Sequence, residues 1–287
     1  MDWRVAVAAR WFLVFWLCLL SMLSRGVHAQ GAVPLRLGIM PFNSALALIK
    51  THQPLRLHLQ EALGRPVDLF TSTDYVTFVN ELLDGRFDLA IAGPHFGSMA
   101  IERGWTPLFR YKAVLQPIFV IRPGSDIASL EDLRGKRIGL SSRLSISSIG
   151  GVKWLQDHGL ALDKDYTLFE RSTHGAAIAA VAVGELDAAL TTYTPLKQVP
   201  DDVRSKVTIL PLDVNVPHLM TLASPRLPPK DVQKVRQALQ NFATPGGAGT
   251  AFFSDTGYLG YEEVSAADLR ALKPYVALTL RMIAKTQ

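Results

Sequence analysis

Apolar runs of strand length alternate with amphipathic segments of helix length along most of this chain, and the alternation occurs twice over. Leu35 to Met40 (LRLGIM) predicts a strand. Ser44 to Leu63 predicts a helix closed by Gly64, with Pro54 as a candidate break. Pro66 to Phe70 predicts a second strand, Tyr75 to Leu83 a helix ended by Asp84-Gly85, and Phe87 to Ala92 (FDLAIA) a third strand. Gly93-Pro94 then turns into a helix reaching Arg103. The second half repeats the rhythm. A short helix at Leu130 to Leu133 precedes the strand Lys136 to Leu140 (KRIGL), a serine-rich loop from Ser141 to Ser148, and a helix stopped by Gly159. A strand at Tyr166 to Glu170, a helix at Ala176 to Val183 and a strand at Asp187 to Thr191 follow. Strands spaced by helices in this way call for βαβ units and mostly parallel sheets.

The expected class is therefore α/β, as two similar lobes, each a small doubly wound sheet. Two apolar stretches, Tyr111 to Ile121 (YKAVLQPIFVI) and His218 to Ala223 (HLMTLA), are expected to cross between lobes as a hinge. Residues 30–115 would form the first part of lobe 1 and 116–215 lobe 2. Residues 216–287 would return to lobe 1, with helices near Lys230 to Phe242 and Ser265 to Ile283.

The segment 1–29 reads as an export signal. Arg4 and Arg10 precede the apolar run Trp11 to Leu20, and Val27-His28-Ala29 offers small residues around a cut before Gln30. An uncleaved membrane anchor is the other reading, although the run is shorter than the roughly 20 apolar residues of a span. Without residues 1–29 the formal charge falls from +5 to about +3. No cluster of Lys or Arg interleaved with aromatics is present, so nucleic acid is not an expected partner. The single cysteine, Cys18, lies in the export segment, which leaves no disulfide, thiolate nucleophile or cysteine-held metal beyond it. That composition is compatible with the periplasm, the expected location.

Several stretches in fixed order resemble the periplasmic phosphate/phosphite/phosphonate-binding proteins of ABC transporters. They are PLRLHLQEALGRPVDLF, TDYVTFVNELLDGRFDLAIAGP, SLEDLRGKRIGLSSRLSISSIGG, RSTHGAAIAAVAVGELDAAL and SAADLRALKPY. The resemblance runs from Leu35 to about Tyr275. It implies a type II periplasmic-binding-protein fold, a flytrap closing by hinge bending on a small oxyanion for an ABC permease of the inner membrane.

The loop after KRIGL is the leading candidate for the anion site, because a helix start offers free N–H groups and partial positive charge. The family's Ser-Thr-Ser-Gly falls here on Ser145, Ile146, Ser147 and Ser148, so Ile146 replaces a hydroxyl donor by an alkyl group. Serine is favoured at helix starts with or without a ligand, and the cluster also reads as a plain cap. Tyr75 matches a family tyrosine on the opposite lobe, with Thr73 as a weaker companion, and also reads as an aromatic packing on a sheet edge. His174 matches a family histidine at a strand-to-helix turn. His95, after FDLAIA, and Thr191, Thr192 and Tyr193, ending DAAL, lie where open α/β sheets bind ligands. His95 reads equally as an exposed loop residue. Aminoalkylphosphonate binders of the family carry two carboxylates for the ligand's amine. Here Thr194 and Val216 stand in their places, which argues for a smaller or neutral-tailed oxyanion.

An enzyme is not expected, since no H-E-x-x-H and no G-x-S-x-G is present. No metal or cofactor is expected, and the chain gives no sign of an obligate oligomer, so a monomer is expected. The runner-up is a periplasmic sensing module acting in trans on a membrane sensor kinase.

Overall fold

The computed structural model describes residues 33–284, and the export-signal reading of residues 1–29 lies outside them. Among the described residues no helix is long and apolar enough to cross a membrane.

The first lobe opens with β1 (Leu35–Ile39), α1 (Ala45–Leu63), β2 (Val67–Thr71), α2 (Tyr75–Leu83), β3 (Leu89–Ala92), α3 (Pro94–Glu102) and β4 (Thr106–Tyr111). The second lobe holds β5 (Pro117–Ile121), a 3-10 turn at Glu131–Leu133, β6 (Arg137–Leu140), α4 (Ile146–Asp157) and β7 (Thr167–Glu170). It continues with α5 (His174–Ala182), β8 (Ala188–Thr192), α6 (Tyr193–Gln198), α7 (Asp201–Arg204) and β9 (Thr208–Pro211). The chain then returns to the first lobe with β10 (Met220–Ala223), α8 (Pro229–Phe242), α9 (Thr250–Thr256), β11 (Tyr261–Glu262) and α10 (Ala266–Ala284).

Two sheets result, ordered β11-β4-β10-β3-β1-β2 and β7-β6-β8-β5-β9. The pattern β2-β1-β3 in one lobe and β7-β6-β8 in the other is a single parallel motif used twice. One detail of chemistry repeats with it. Asp88, just before β3, accepts the Arg36 amide of β1 at 2.8 Å, and Asp187, just before β8, accepts the Arg137 amide of β6 at 2.8 Å.

The sheets are mixed, not mostly parallel. β10 pairs antiparallel with both β3 and β4, and β5 antiparallel with both β8 and β9. A strand entering a lobe from its neighbour runs against the βαβ strands beside it, and an apolar run carries no sign of its direction. The hinge is also displaced from its expected place. Met220–Ala223 is an interior strand of the first sheet, apolar because it is covered on both faces. The chain crosses between sheets at 112–116 and 212–219. The crossings are tied by reciprocal backbone hydrogen bonds between Leu115 and Val216, both 3.0 Å.

The helices start and stop for local reasons. The Ser44 hydroxyl accepts the Ala47 amide at the start of α1, and Gly64, at φ 62°, ends it in the left-handed region that favours glycine. Pro54 sits inside α1 without ending it, because it lies on the exposed side, where the freed Lys50 carbonyl meets water. Gly151 has a different task. A Cβ there would lie 2.5 Å from a Leu190 methyl, so glycine lets α4 rest directly on β8. The first lobe has one continuous apolar core, including Leu37, Phe78, Phe96, Met220 and Phe242. The second lobe divides its core between the two faces of its sheet, around Phe119, Ile138 and Leu190 on one side and Ile118, Val120 and Ile178 on the other.

Candidate functional site

The parallel motif directs the strand carboxyl ends of both lobes, and the helices that follow them, at the same place. Tyr75, Ile146 and His174 are the first residues of α2, α4 and α5, and all three line one small cavity with Ser145, Ser147 and Thr192. Its volume is about 30 Å³, room for roughly two waters or one compact ion. Met40 and Phe42 from the first lobe, Leu115 from the hinge, and Thr194, His218 and Tyr258 complete the wall. No Lys, Arg, Asp or Glu lines it.

At the head of α4, Ser145 is the N-cap. Its hydroxyl accepts the Ser148 amide at 3.1 Å, and its carbonyl accepts the Ile149 amide at 3.0 Å. The amides of Ile146 and Ser147 are left as the free donors of a helix start. The hydroxyls of Ser147 and Ser148 lie 3.0 and 2.7 Å from Ser145 Oγ. Three hydroxyls bring three protons and the two contacts use two, so one proton remains for a further acceptor. At the head of α5, Thr173 Oγ1 takes the Ala176 amide, which leaves the amides of His174 and Gly175 free.

The side-chain donors are buried and neutral. Tyr75 Oη lies beside Ser141 without reaching hydrogen-bonding geometry and has no partner in the chain. Burial pushes its pKa well above the usual phenol value, so it remains an O–H donor. His174 Nε2 meets Ser141 Oγ at 3.0 Å and its Nδ1 is unpartnered. Burial holds its pKa down at about 4, against the pull of the Leu190 carbonyl. His218 Nδ1 accepts the Leu219 amide at 2.8 Å, which puts the ring proton on Nε2. Burial, reinforced by Arg110, lowers its pKa to about 3.

Four of the expected site residues lie off this wall. His95 is buried, but its Nε2 donates to the Leu144 carbonyl at 2.9 Å, a bond from the first lobe to the serine loop of the second. With its pKa lowered to about 4 by burial, it is neither an exposed loop residue nor a cavity donor. Ser148 is on the third position of α4, where helical rotation turns it toward the opposite side. Thr191 and Thr192 are neighbours in a strand and face opposite ways, so only Thr192 reaches the cavity. Tyr193 starts α6 and is 41 % exposed. Ile146 lies inside the first turn of α4, where the serine loop was expected to run on.

Sequence reasoning missed His218 and Tyr258. His218 ends the crossing back from the second lobe and Tyr258 follows α9 in the first, and only the tertiary fold brings them together at the cavity. The Val216-Pro217-His218 run marking the end of the crossing was the available signal.

The lobes are drawn together around the cavity. Asn43 Nδ2 donates to Gln198 Oε1 at 2.9 Å, Thr194 Oγ1 to the Thr256 carbonyl at 3.0 Å and Lys197 Nζ to the Ser254 carbonyl at 3.2 Å. Thr194 thus serves as a link between lobes. Among the described residues no group of three or more His, Cys, Asp or Glu comes together that could hold a metal.

The sequence matches, over residues 37–269, the family described as ABC transporter, phosphonate, periplasmic substrate-binding protein. Among solved structures, PhnD1 from Prochlorococcus marinus in complex with methylphosphonate is similar with a TM-score of 0.76. It is 15 % identical, over 86 % of this chain and 98 % of that one. A binding-protein component of an ABC phosphonate transporter from Pseudomonas aeruginosa gives 0.69 at 16 % identity, covering 88 % and 99 %. The alkanesulfonate-binding protein SsuA from Xanthomonas axonopodis pv. citri, bound to MOPS, gives 0.60 at 18 %, covering 88 % and 94 %. These likenesses show a shared type II periplasmic-binding-protein fold of two lobes.

Proposed function

The chain belongs to the family of periplasmic substrate-binding proteins of ABC phosphonate transporters, and from that premise we propose that it captures one compact oxyanion of the phosphonate class between its lobes. The family role is delivery of a small ligand to an ABC permease. The observation that carries the ligand reading is the set of buried, unspent donors at three helix starts around a cavity without a formal charge. In the proposed arrangement the amides of Ile146 and Ser147, one serine hydroxyl proton, Tyr75 Oη and the rings of His174 and His218 surround the anion. Each hydrogen bond to a charged group contributes about 1.5–3 kcal/mol, so a handful suffices for micromolar affinity. In a dry cavity these fixed dipoles act at low effective dielectric, and they are oriented before the ligand arrives.

The size of the cavity and the residues Thr194 and Val216 support a ligand without an amine. We also propose binding without catalysis. The Ser141–His174 contact beside the cavity has no carboxylate on Nδ1, and Ser141 is not on the cavity wall. Residues 1–29 are proposed as the export signal that delivers the chain to the periplasm, and a mature amino terminus at Gln30 is the check.

The test is a thermal-shift series on the mature chain with methylphosphonate, phosphite, phosphate, sulfate and aminoethylphosphonate. A ligand at 100 times its Kd adds about 2.7 kcal/mol of stability, several degrees in Tm. Methylphosphonate or phosphite should give that shift and aminoethylphosphonate should not. A flat response to every tetrahedral oxyanion would refute the proposal.

A further inference from the structure

Two unlike kinds of residue line the cavity. Tyr75, Ser145, Ser147, His174 and His218 bring donors. Ile146 and Leu115, 4 % and 5 % exposed, bring aliphatic carbon, and they pack with Val216 and with the half-buried Val214 and Tyr275 in a separate apolar cluster. The hinge backbone adds no donor there. Leu115 and Val216 satisfy each other's amides and carbonyls with two 3.0 Å hydrogen bonds. An anion seated against the donors must therefore turn one substituent toward aliphatic carbon.

The consequence depends on what that substituent is. A phosphate oxygen in that position, charged or protonated, meets no hydrogen-bond partner, so it loses its water without replacement. A methyl group there gains contact instead, and a P–H hydrogen loses nothing. A cavity of about 30 Å³ suits such a small group better than a longer chain. We infer that the hinge-side wall of Ile146 and Leu115 is a specificity determinant, selecting oxyanions with one small substituent that takes no hydrogen bond and rejecting all-oxygen anions such as phosphate. The inference rests on the proposed oxyanion site and adds to it which class of oxyanion that site prefers.

Titration calorimetry of the mature chain with methylphosphonate and with phosphate, at one pH and ionic strength, tests this. The wild type should prefer methylphosphonate by about tenfold or more. Ile146→Thr, which restores a hydroxyl on the wall, should shrink that ratio about tenfold by strengthening phosphate binding, and Ile146→Val should keep it. If Ile146→Thr has no cooperative melting transition, Leu115→Thr carries the same expectation. A wild type that holds phosphate as tightly as methylphosphonate overturns the inference and leaves the oxyanion site standing. An unchanged ratio in a folded threonine variant does the same. A wild type that binds neither anion overturns the functional reading, and the inference with it.

Discussion

The two sides of α4 could hardly be less alike. On one side lies the small cavity of about 30 Å³ with no charged residue on its wall. On the other is an open groove of about 1030 Å³ between α4 and α10, bordered by Arg143, Lys153, Asp157, Glu170 and Arg281. Size and positive charge alone would send an anion to the groove. The physical chemistry favours the cavity. Arg143 is engaged by Glu170 at 3.2 Å and Lys153 by Asp157 at 2.6 Å, and these exposed pairs are screened by water and salt. In the cavity the donors are fewer and formally neutral, but they are buried, and several, such as Tyr75 Oη and His174 Nδ1, are unspent. What matters for holding a small anion is the number of donors that water and counter-ions have not already taken.

The largest effect is expected from a negative charge placed inside the cavity. Ser147→Asp places a carboxylate among the free amides of α4, so it would occupy the donors itself and repel the ligand. Methylphosphonate affinity should fall at least a hundredfold, about 3 kcal/mol, in calorimetry, with circular dichroism confirming the fold. Retention of near wild-type affinity would move the site elsewhere.

Acidification is expected to act next most strongly. Burial lowers His52, His95 and His174 to about 4 and His218 to about 3, from an ordinary value of 6.5. These rings are neutral in the fold, while the unfolded chain takes up protons below about 6.5. The unfolded state therefore binds more protons between about 4 and 6.5, and stability falls as the pH drops through that window. Tm should decline by several degrees from pH 7 to pH 5 without ligand. A flat profile would mean the rings are not buried and neutral together.

The smallest effect belongs to the groove. Lys153→Ala combined with Arg281→Ala should leave methylphosphonate affinity within about twofold of wild type, since screened surface charges contribute little. A tenfold loss would make the groove part of the binding path.

Much of the scaffold on which this comparison stands is legible in the sequence. Tyr75–Leu83 is an isolated amphipathic helix and stands where its periodicity predicts. Other element ends differ by a residue or two, where caps such as Ser145 and Thr173 decide the first turn. The direction of the crossing strands is not legible, because an apolar run reads the same both ways. In the candidate site, Ser145, Ser147, Tyr75 and His174 are local to strand-to-helix turns and could be named from their neighbours. His218 is brought in by the segment returning from the other lobe, and Tyr258 by the turn between α9 and β11. His95 illustrates the opposite error. Its position after a strand end is right, but its proton goes to a peptide carbonyl of the facing lobe. Ile146 could be identified as a lost donor, whereas its packing on Leu115 and Val216 needed the fold.

All of this depends on where an anion sits relative to α4, and a crystal structure of the mature chain grown with methylphosphonate measures that directly. One tetrahedral density is expected at the first turn of α4, within hydrogen-bonding distance of the Ser147 amide and Tyr75 Oη, with the methyl group against Ile146 and Leu115. Density in the groove beside Lys153 and Arg281, with the cavity collapsed or filled only by water, would contradict it.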